Sequence, residues 1–238
     1  MISRAGRDPE PCPPVILSEA KDLPRRFGTG RSFALRARHD VGEARAGFED
    51  LVEAVQACRR CPAMEGRRRV LGAGNGPVDA RVLFVAEAPG RLGGDRTGRP
   101  LTSDQTGRNF ERLLAAAGLG RDELFVTNAV LCNPRSGRGL NRRPSPAELA
   151  NCREHLRRTL ELVAARLVVP LGAVALAQLD ALEHHGLTLR ADVGRVVPWR
   201  GRWLLPLYHP GPRAQIHRPF ARQEDDFRAL RTILLEVW

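Results

Sequence analysis

The chain has 238 residues and a formal net charge of +11, with Lys21 its only lysine. Hydrophobic residues make up 42% and charged residues 27%, the balance of a globular protein able to bury one good core. No stretch approaches the roughly 20 apolar residues of a membrane span, and the opening MISRAGRDPEPCPP lacks the apolar run of a secretory signal.

The near-exclusive use of arginine admits two readings. Coding preference on solvated faces explains part of it. The excess also fits a polyanion partner, since guanidinium forks match phosphate geometry. Five cysteines in such a chain point to metal or cluster binding before a disulfide frame. Four form a set: Cys58-x2-Cys61, then Cys132, then Cys152. Thiolates in fours hold a tetrahedral zinc or an iron–sulfur cluster, and spacing alone leaves both open. Cys12 stands apart among prolines.

Residues 1–45 mix proline, glycine and scattered charge without a sustained period and are expected to form a disordered extension. Residues 46–238 are expected to be the functional domain. Phe48, Leu51, Val52 and Val55 have helical spacing and deliver Cys58 at the helix end. RVLFVA at 81–86 is a continuous apolar run, the mark of a strand buried on both faces. A glycine-rich loop follows, then a predicted helix over 109–117 and a second buried strand over 124–130. Ser145-Pro146-Ala147-Glu148 reads as a helix start, with serine as cap, proline first and glutamate third. That helix is predicted to run to about residue 164 and to carry Cys152. A third strand over 167–171 ends at Gly172, and a helix begins near Ala173. A fourth strand over 203–207 stops at Tyr208-His209-Pro210, and a last helix covers roughly 222–237.

Strands alternating with helices predict an α/β fold: a three-layer α/β/α sandwich around a four-stranded parallel sheet. Sites in such sheets form at the carboxyl ends of the strands. The loops after strands one, two and four begin AEAPG, NAVLCNP and YHPGP, so three polar motifs are expected on one edge.

From about Phe48 onward the chain resembles uracil-DNA glycosylases of the iron–sulfur-containing branch of that superfamily. The resemblance rests on Cys58-x2-Cys61, AEAPG at 86–90, DRTGRPLTSDQTG at 95–107, TNAVLCNP at 127–134, NRRPSP at 141–146, Cys152, VPLGAVA at 169–175 and YHPGP at 208–212. It implies a DNA glycosylase that removes uracil or a related deaminated base and leaves an abasic site. It also implies that Cys58, Cys61, Cys132 and Cys152 hold a structural [4Fe–4S] cluster.

The resemblance assigns the chemistry to particular residues. His209 matches the motif histidine that donates to the departing base, where negative charge develops. A carboxylate or positioned water must meet the cation-like sugar. Here the chain sits between two branches: Glu87 matches one and Asp104 the other, with Asp95 a third candidate. The order is Asp104, Glu87, Asp95, and Asp104 could also cap the following helix. Asn128 matches a uracil-reading asparagine, and Asn141 a catalytic asparagine of the second branch. Ala88 and Gly90 would line the base pocket. Leu101 stands where both branches have an aromatic that stacks on the base, which opens the slot to bases other than uracil. In the loop after His209, Gln215 or Ile216 would fill the gap left by a flipped nucleotide, with Arg213 and Arg218 on phosphates. Residues 133–146 contain no histidine, so the covalent trapping of one subgroup is not expected. A monomer acting on DNA in a prokaryotic cytoplasm, near the nucleoid, completes the expectation. The rival is a non-catalytic iron–sulfur DNA-binding protein on the same scaffold.

Overall fold

The computed structural model of the protein describes residues 41–236. Of the extension expected over 1–45, residues 1–40 lie outside that range, and so does residue 237 of the expected last helix. Residues 41–45 are helical: α1 covers Val41–Gln56, beginning before the expected domain boundary at 46.

Five strands form one sheet, β1 Val82–Ala86, β2 Leu124–Asn128, β3 Leu167–Pro170, β4 Val197–Trp199 and β5 Arg202–Leu204, in the order β2-β1-β3-β5-β4. The first three and β5 pair in parallel; β4 pairs antiparallel with β5. The expected four-stranded parallel sheet thus gains an edge hairpin. Its turn is Arg200-Gly201, both with positive φ (48° and 67°), the two-residue geometry that matches strand twist.

Two helical layers cover the sheet. On one face α1, α3 (Pro146–Leu162) and α4 (Ala173–Asp180) bury Phe48, Leu51, Leu156 and Leu176 against Leu83, Val85, Phe125 and Val168. On the other, α2 (Gln105–Ala117) and α5 (Phe220–Glu236) bury Phe110, Leu114, Phe227 and Ile233 against Phe84, Val126 and Val169. Because each central strand is covered on both faces, its residues are uniformly apolar rather than alternating. Phe84, Phe110 and Phe227 meet at centroid distances of 5.3–6.1 Å. No helix among the described residues is long and apolar enough to cross a membrane.

Helix ends set the loops that matter. Ser145 caps α3 in a full capping box with Glu148, and Glu148 also takes both guanidinium nitrogens of Arg142 at 2.7 and 2.6 Å. The chain runs from β1 outward to β2 on one side and to β3 on the other, so the strand order reverses at β1. That is the point where the loops at the strand ends diverge and leave a crevice.

Candidate active site

The loops after β1, β2 and Leu207 meet at the carboxyl edge of the sheet. Ala86 pairs with Asn128 in the β1–β2 register, Leu171 bridges Leu207, and the Gly172 N–H donates to the Leu207 carbonyl at 2.8 Å. A Cβ on Gly172 would stand 3.4 Å from that of His209, which places His209 directly beside the end of β3.

The chemistry of His209 follows from its packing. The ring is only partly exposed, and desolvation pushes its pKa down to about 4 while the charge of nearby Asp104 pulls it upward. It is therefore a neutral imidazole near pH 7. The Gly211 N–H donates to Nδ1 at 3.1 Å, so Nδ1 carries a lone pair and the proton sits on Nε2. Gly211 must be glycine, because a Cβ there would come within 2.8 Å of Nδ1. Asn109 holds the same loop from below, donating from Nδ2 to the Pro210 carbonyl at 2.7 Å.

Asp104 fills two roles at once. Its Oδ1 accepts the Gly107 N–H at 2.8 Å as the N-cap of α2. Its Oδ2 lies over the glycines of the β1 loop, 2.8 and 2.7 Å from where Cβ atoms on Gly90 and Gly93 would be. A side chain at either glycine would displace the carboxylate. The Nδ2 of Asn141 faces the same spot, 3.8 Å from the Gly90 position. His209, Asp104, Asn141 and Gly90 thus share one locality.

Other expected site residues stand around it. Glu87 follows β1 directly; burial raises its pKa, with Arg143 opposing. Ala88 is half-buried and packs on the core beneath. Asn128 ends β2 at 2% exposure, and its Nδ2 has no hydrogen-bond partner among the described residues. A buried amide left unsatisfied costs about 1–3 kcal/mol, so it points to a group that completes it. Leu101 has a left-handed backbone (φ 49°), as does Ser103 (φ 65°), an uncommon conformation for side chains of this kind. Arg121 holds the turn by donating to the carbonyls of Pro100 and Leu101 at 3.2 and 2.6 Å, and the Leu101 side chain packs against the α2–α5 core.

The loop after His209 forms a short 3-10 turn over Pro212–Ile216. Ile216 is 82% exposed, Arg213 is exposed and Gln215 half-buried. Arg218 corrects the sequence expectation. It is 2% exposed and forms a bidentate ion pair with Asp226 of α5, Nε to Oδ2 at 2.9 Å and Nη2 to Oδ1. A guanidinium closed into that pair inside the fold is a structural tie, not a phosphate contact. Asp95 is likewise turned away from the reacting locality, into an ion pair with Arg135.

The four cysteines are all free thiols. Cys58 and Cys61 follow α1, Cys132 follows β2 and Cys152 lies in α3. Burial pushes Cys132 up to about 11 and Cys152 up to about 12; Cys58 and Cys61 add to the rise at both, and Cys132 adds to it at Cys152. Arg69 holds the Cys58 carbonyl from Nε and Nη2 at 3.0 and 2.8 Å, and Asn151 Nδ2 reaches Cys61 Sγ at 3.4 Å. Among the described residues no three Cys, His, Asp or Glu side chains stand close enough to hold one metal ion. A cavity of about 950 Å³ lies elsewhere, between α1 and the Gly72–Val78 segment.

Sequence reasoning missed Asn109 and Asn133, which hold the loops after His209 and β1. Asn133 adjoins Cys132 in the CNP triplet, and that position was the one available signal.

A doubly covered sheet with a neutral histidine and a carboxylate at its carboxyl edge defines an α/β protein with a candidate site at the ends of its strands. Comparison with known proteins names the family: residues 73–234 match the model of the uracil DNA glycosylase superfamily, and the chain belongs to it. It is 32% identical to a type-4 uracil-DNA glycosylase of Archaeoglobus fulgidus over 191 residues, 77% of this chain and 91% of that protein. A type-4 enzyme of Thermotoga maritima is 32% identical over 164 residues (68% and 81%). A type-5 uracil-DNA glycosylase of Thermus thermophilus is 33% identical over 199 residues (68% and 85%). Similar identity to both types agrees with a first motif that mixes their features.

Proposed function

We propose that this chain is a monofunctional DNA glycosylase, which hydrolyses the N-glycosidic bond of uracil or a related deaminated base in DNA and leaves an abasic site for base excision repair. The observation that carries this reading is the pairing of a neutral His209, its proton on Nε2, with the Asp104 carboxylate across the crevice. As the glycosidic bond breaks, electrons move to the base and the sugar becomes cation-like. The Nε2–H donates to the base oxygen that gains charge, and the neutral ring does so without surrendering a proton. The Asp104 Oδ2, with Asn141 Nδ2 beside it, holds the water that attacks the sugar carbon and accepts its proton. Glu87, its pKa raised, is the second candidate for that water. Asn128 Nδ2, buried and unsatisfied, suits an acceptor on the edge of the everted base, above Ala88 and Gly90.

Ile216, which is exposed, and Gln215 would fill the stack after the nucleotide leaves, with Arg213 on a phosphate. Leu101 supplies no stacking ring, so a broadened range including hypoxanthine or xanthine is part of the proposal. The protein acts as a monomer on DNA in the cytoplasm.

The cysteine set suits a [4Fe–4S] cluster. Tetrahedral zinc, with Zn–S near 2.3 Å, draws its thiolates to within about 4 Å of one another. The four thiols here lie within electrostatic reach of one another, and four cysteines are the donor set of either centre; the likeness to type-4 and type-5 enzymes favours the cluster. Such a cluster would supply no reaction chemistry; it would tie the end of α1, the loop after β2 and α3 into one frame.

Incubation of the purified protein with duplexes carrying uracil, hypoxanthine or xanthine, followed by hot alkali, tests the reading. Scission at the modified base, abolished in His209→Ala, is expected. Tight binding without scission on any of them would leave a DNA-binding protein on a glycosylase scaffold.

A further inference from the structure

A chain of polar contacts runs from Asp95 to Asn141, and each link fixes the orientation of the next. The Asp95 carboxylate is nearly buried, takes the Arg68 N–H on Oδ1 at 3.1 Å and pairs through Oδ2 with Arg135 Nη2. That pairing aims Arg135 Nε at Asn133 Oδ1, 2.6 Å away. With its oxygen committed to a guanidinium, the buried Asn133 amide must present Nδ2 on its other side. There it donates to the Pro89 carbonyl at 2.6 Å and to Asn141 Oδ1 at 3.0 Å. Asn141 Oδ1 also accepts the Arg91 N–H at 3.0 Å. Two donors on the oxygen leave one orientation for Asn141, with Nδ2 toward Gly90 and the Asp104 carboxylate. An isolated amide can turn over at little cost. Here a buried carboxylate two side chains away decides which end faces the crevice.

We propose that Asp95, Arg135 and Asn133 are positioning residues that hold the Asn141 N–H2 toward the attacking water. This rests on the glycosylase reading and deepens it. Asp95 acts through other side chains and does not touch the reacting atoms. The relay matters because Asp104 already accepts a proton from that water. An Asn141 turned the other way would offer a second acceptor and leave the water with no donor to hold its oxygen.

Two variants test it. Asn133→Asp keeps the acceptor for Arg135 but replaces the donor facing Asn141 with an oxygen. Asp95→Asn keeps the shape but removes the charge that orders Arg135. Both are expected to lower the single-turnover excision rate by about 10- to 100-fold, the scale of a misplaced reacting group, while duplex affinity stays within about twofold. In an Asn141→Ala background neither should lower the rate further, since both act through Asn141. Losses that add to that of Asn141→Ala, or wild-type rates in both single variants, would overturn the relay. Crystal structures of the two variants give a readout independent of activity. The Asn141 side chain is expected to leave the Arg91 N–H in Asn133→Asp, and an unmoved side chain would overturn the relay. Absence of excision by the unaltered protein would instead count against the glycosylase reading, with the crystallographic result still deciding the relay.

Discussion

The imidazole of His209 and the carboxylate of Asp104 act on each other across the carboxyl edge of the sheet: the acid's charge raises the ring's pKa while burial, the stronger influence, carries it down to about 4. Each is fixed by a backbone amide, Asp104 Oδ1 by the Gly107 N–H and His209 Nδ1 by the Gly211 N–H. The fold therefore holds both groups in place, and in the proposed reaction little reorganisation is left to them.

The depressed pKa has a measurable sign. In the unfolded chain this histidine takes up a proton below about pH 6.5, whereas in the fold it stays neutral to about 4. Its contribution to stability is complete above pH 6.5 and is lost as the pH falls toward 4, by up to about 3 kcal/mol. Urea denaturation at pH 7.5 and 4.5 should show that loss in the wild type and a smaller one in His209→Asn. Excision should show no inflection from this group between pH 5.5 and 8.

The buried Arg218–Asp226 pair should be structural. Removing either partner strands a charge in the fold and is expected to cost about 3–5 kcal/mol. Replacing both, as Arg218→Met with Asp226→Leu, should recover most of the loss. Thermal melts of the three variants check this, and single variants that melt like the wild type would contradict it.

Arg213 should behave oppositely. Arg213→Ala is expected to leave the melting temperature unchanged and to reduce the slope of log affinity against log salt by about 1. Ile216→Ala should slow excision from a duplex more than from a single strand, because only the duplex leaves a gap to fill.

Leu101→Phe should narrow the base range. Stacking on an aromatic ring contributes about 1–3 kcal/mol per base, so uracil excision should gain on hypoxanthine excision in competition assays. An unchanged ratio would mean that the core contacts of Leu101 keep this position out of the base slot.

The sheet was legible because strands buried on both faces advertise themselves as unbroken apolar runs, as in Val82–Ala86 and Leu167–Pro170. The start of α3 was legible from its capping box. The β4–β5 hairpin was not: three-residue strands, one carrying Pro198, give no periodicity, and Arg200 is an unusual residue for a left-handed turn. The first turns of α1 were masked by Gly42 and Gly47, although Ala44 continues the buried stripe of Phe48, Leu51 and Val55. In the site, His209 and Asp104 were readable as motif positions. The burial of Arg218 was not, because its partner Asp226 lies two helical turns along α5 and nothing local marks the pair. The ordering of Asn141 by Asp95 was equally hidden, since it depends on contacts between residues up to 50 positions apart.

Single-turnover excision from a uracil-containing duplex by wild type, His209→Gln and Asp104→Asn tests the central claim most directly. Both variants are expected to lose at least about 100-fold in rate while binding the duplex as tightly as wild type. A wild-type rate in either one would contradict the assignment of these two groups to the broken bond.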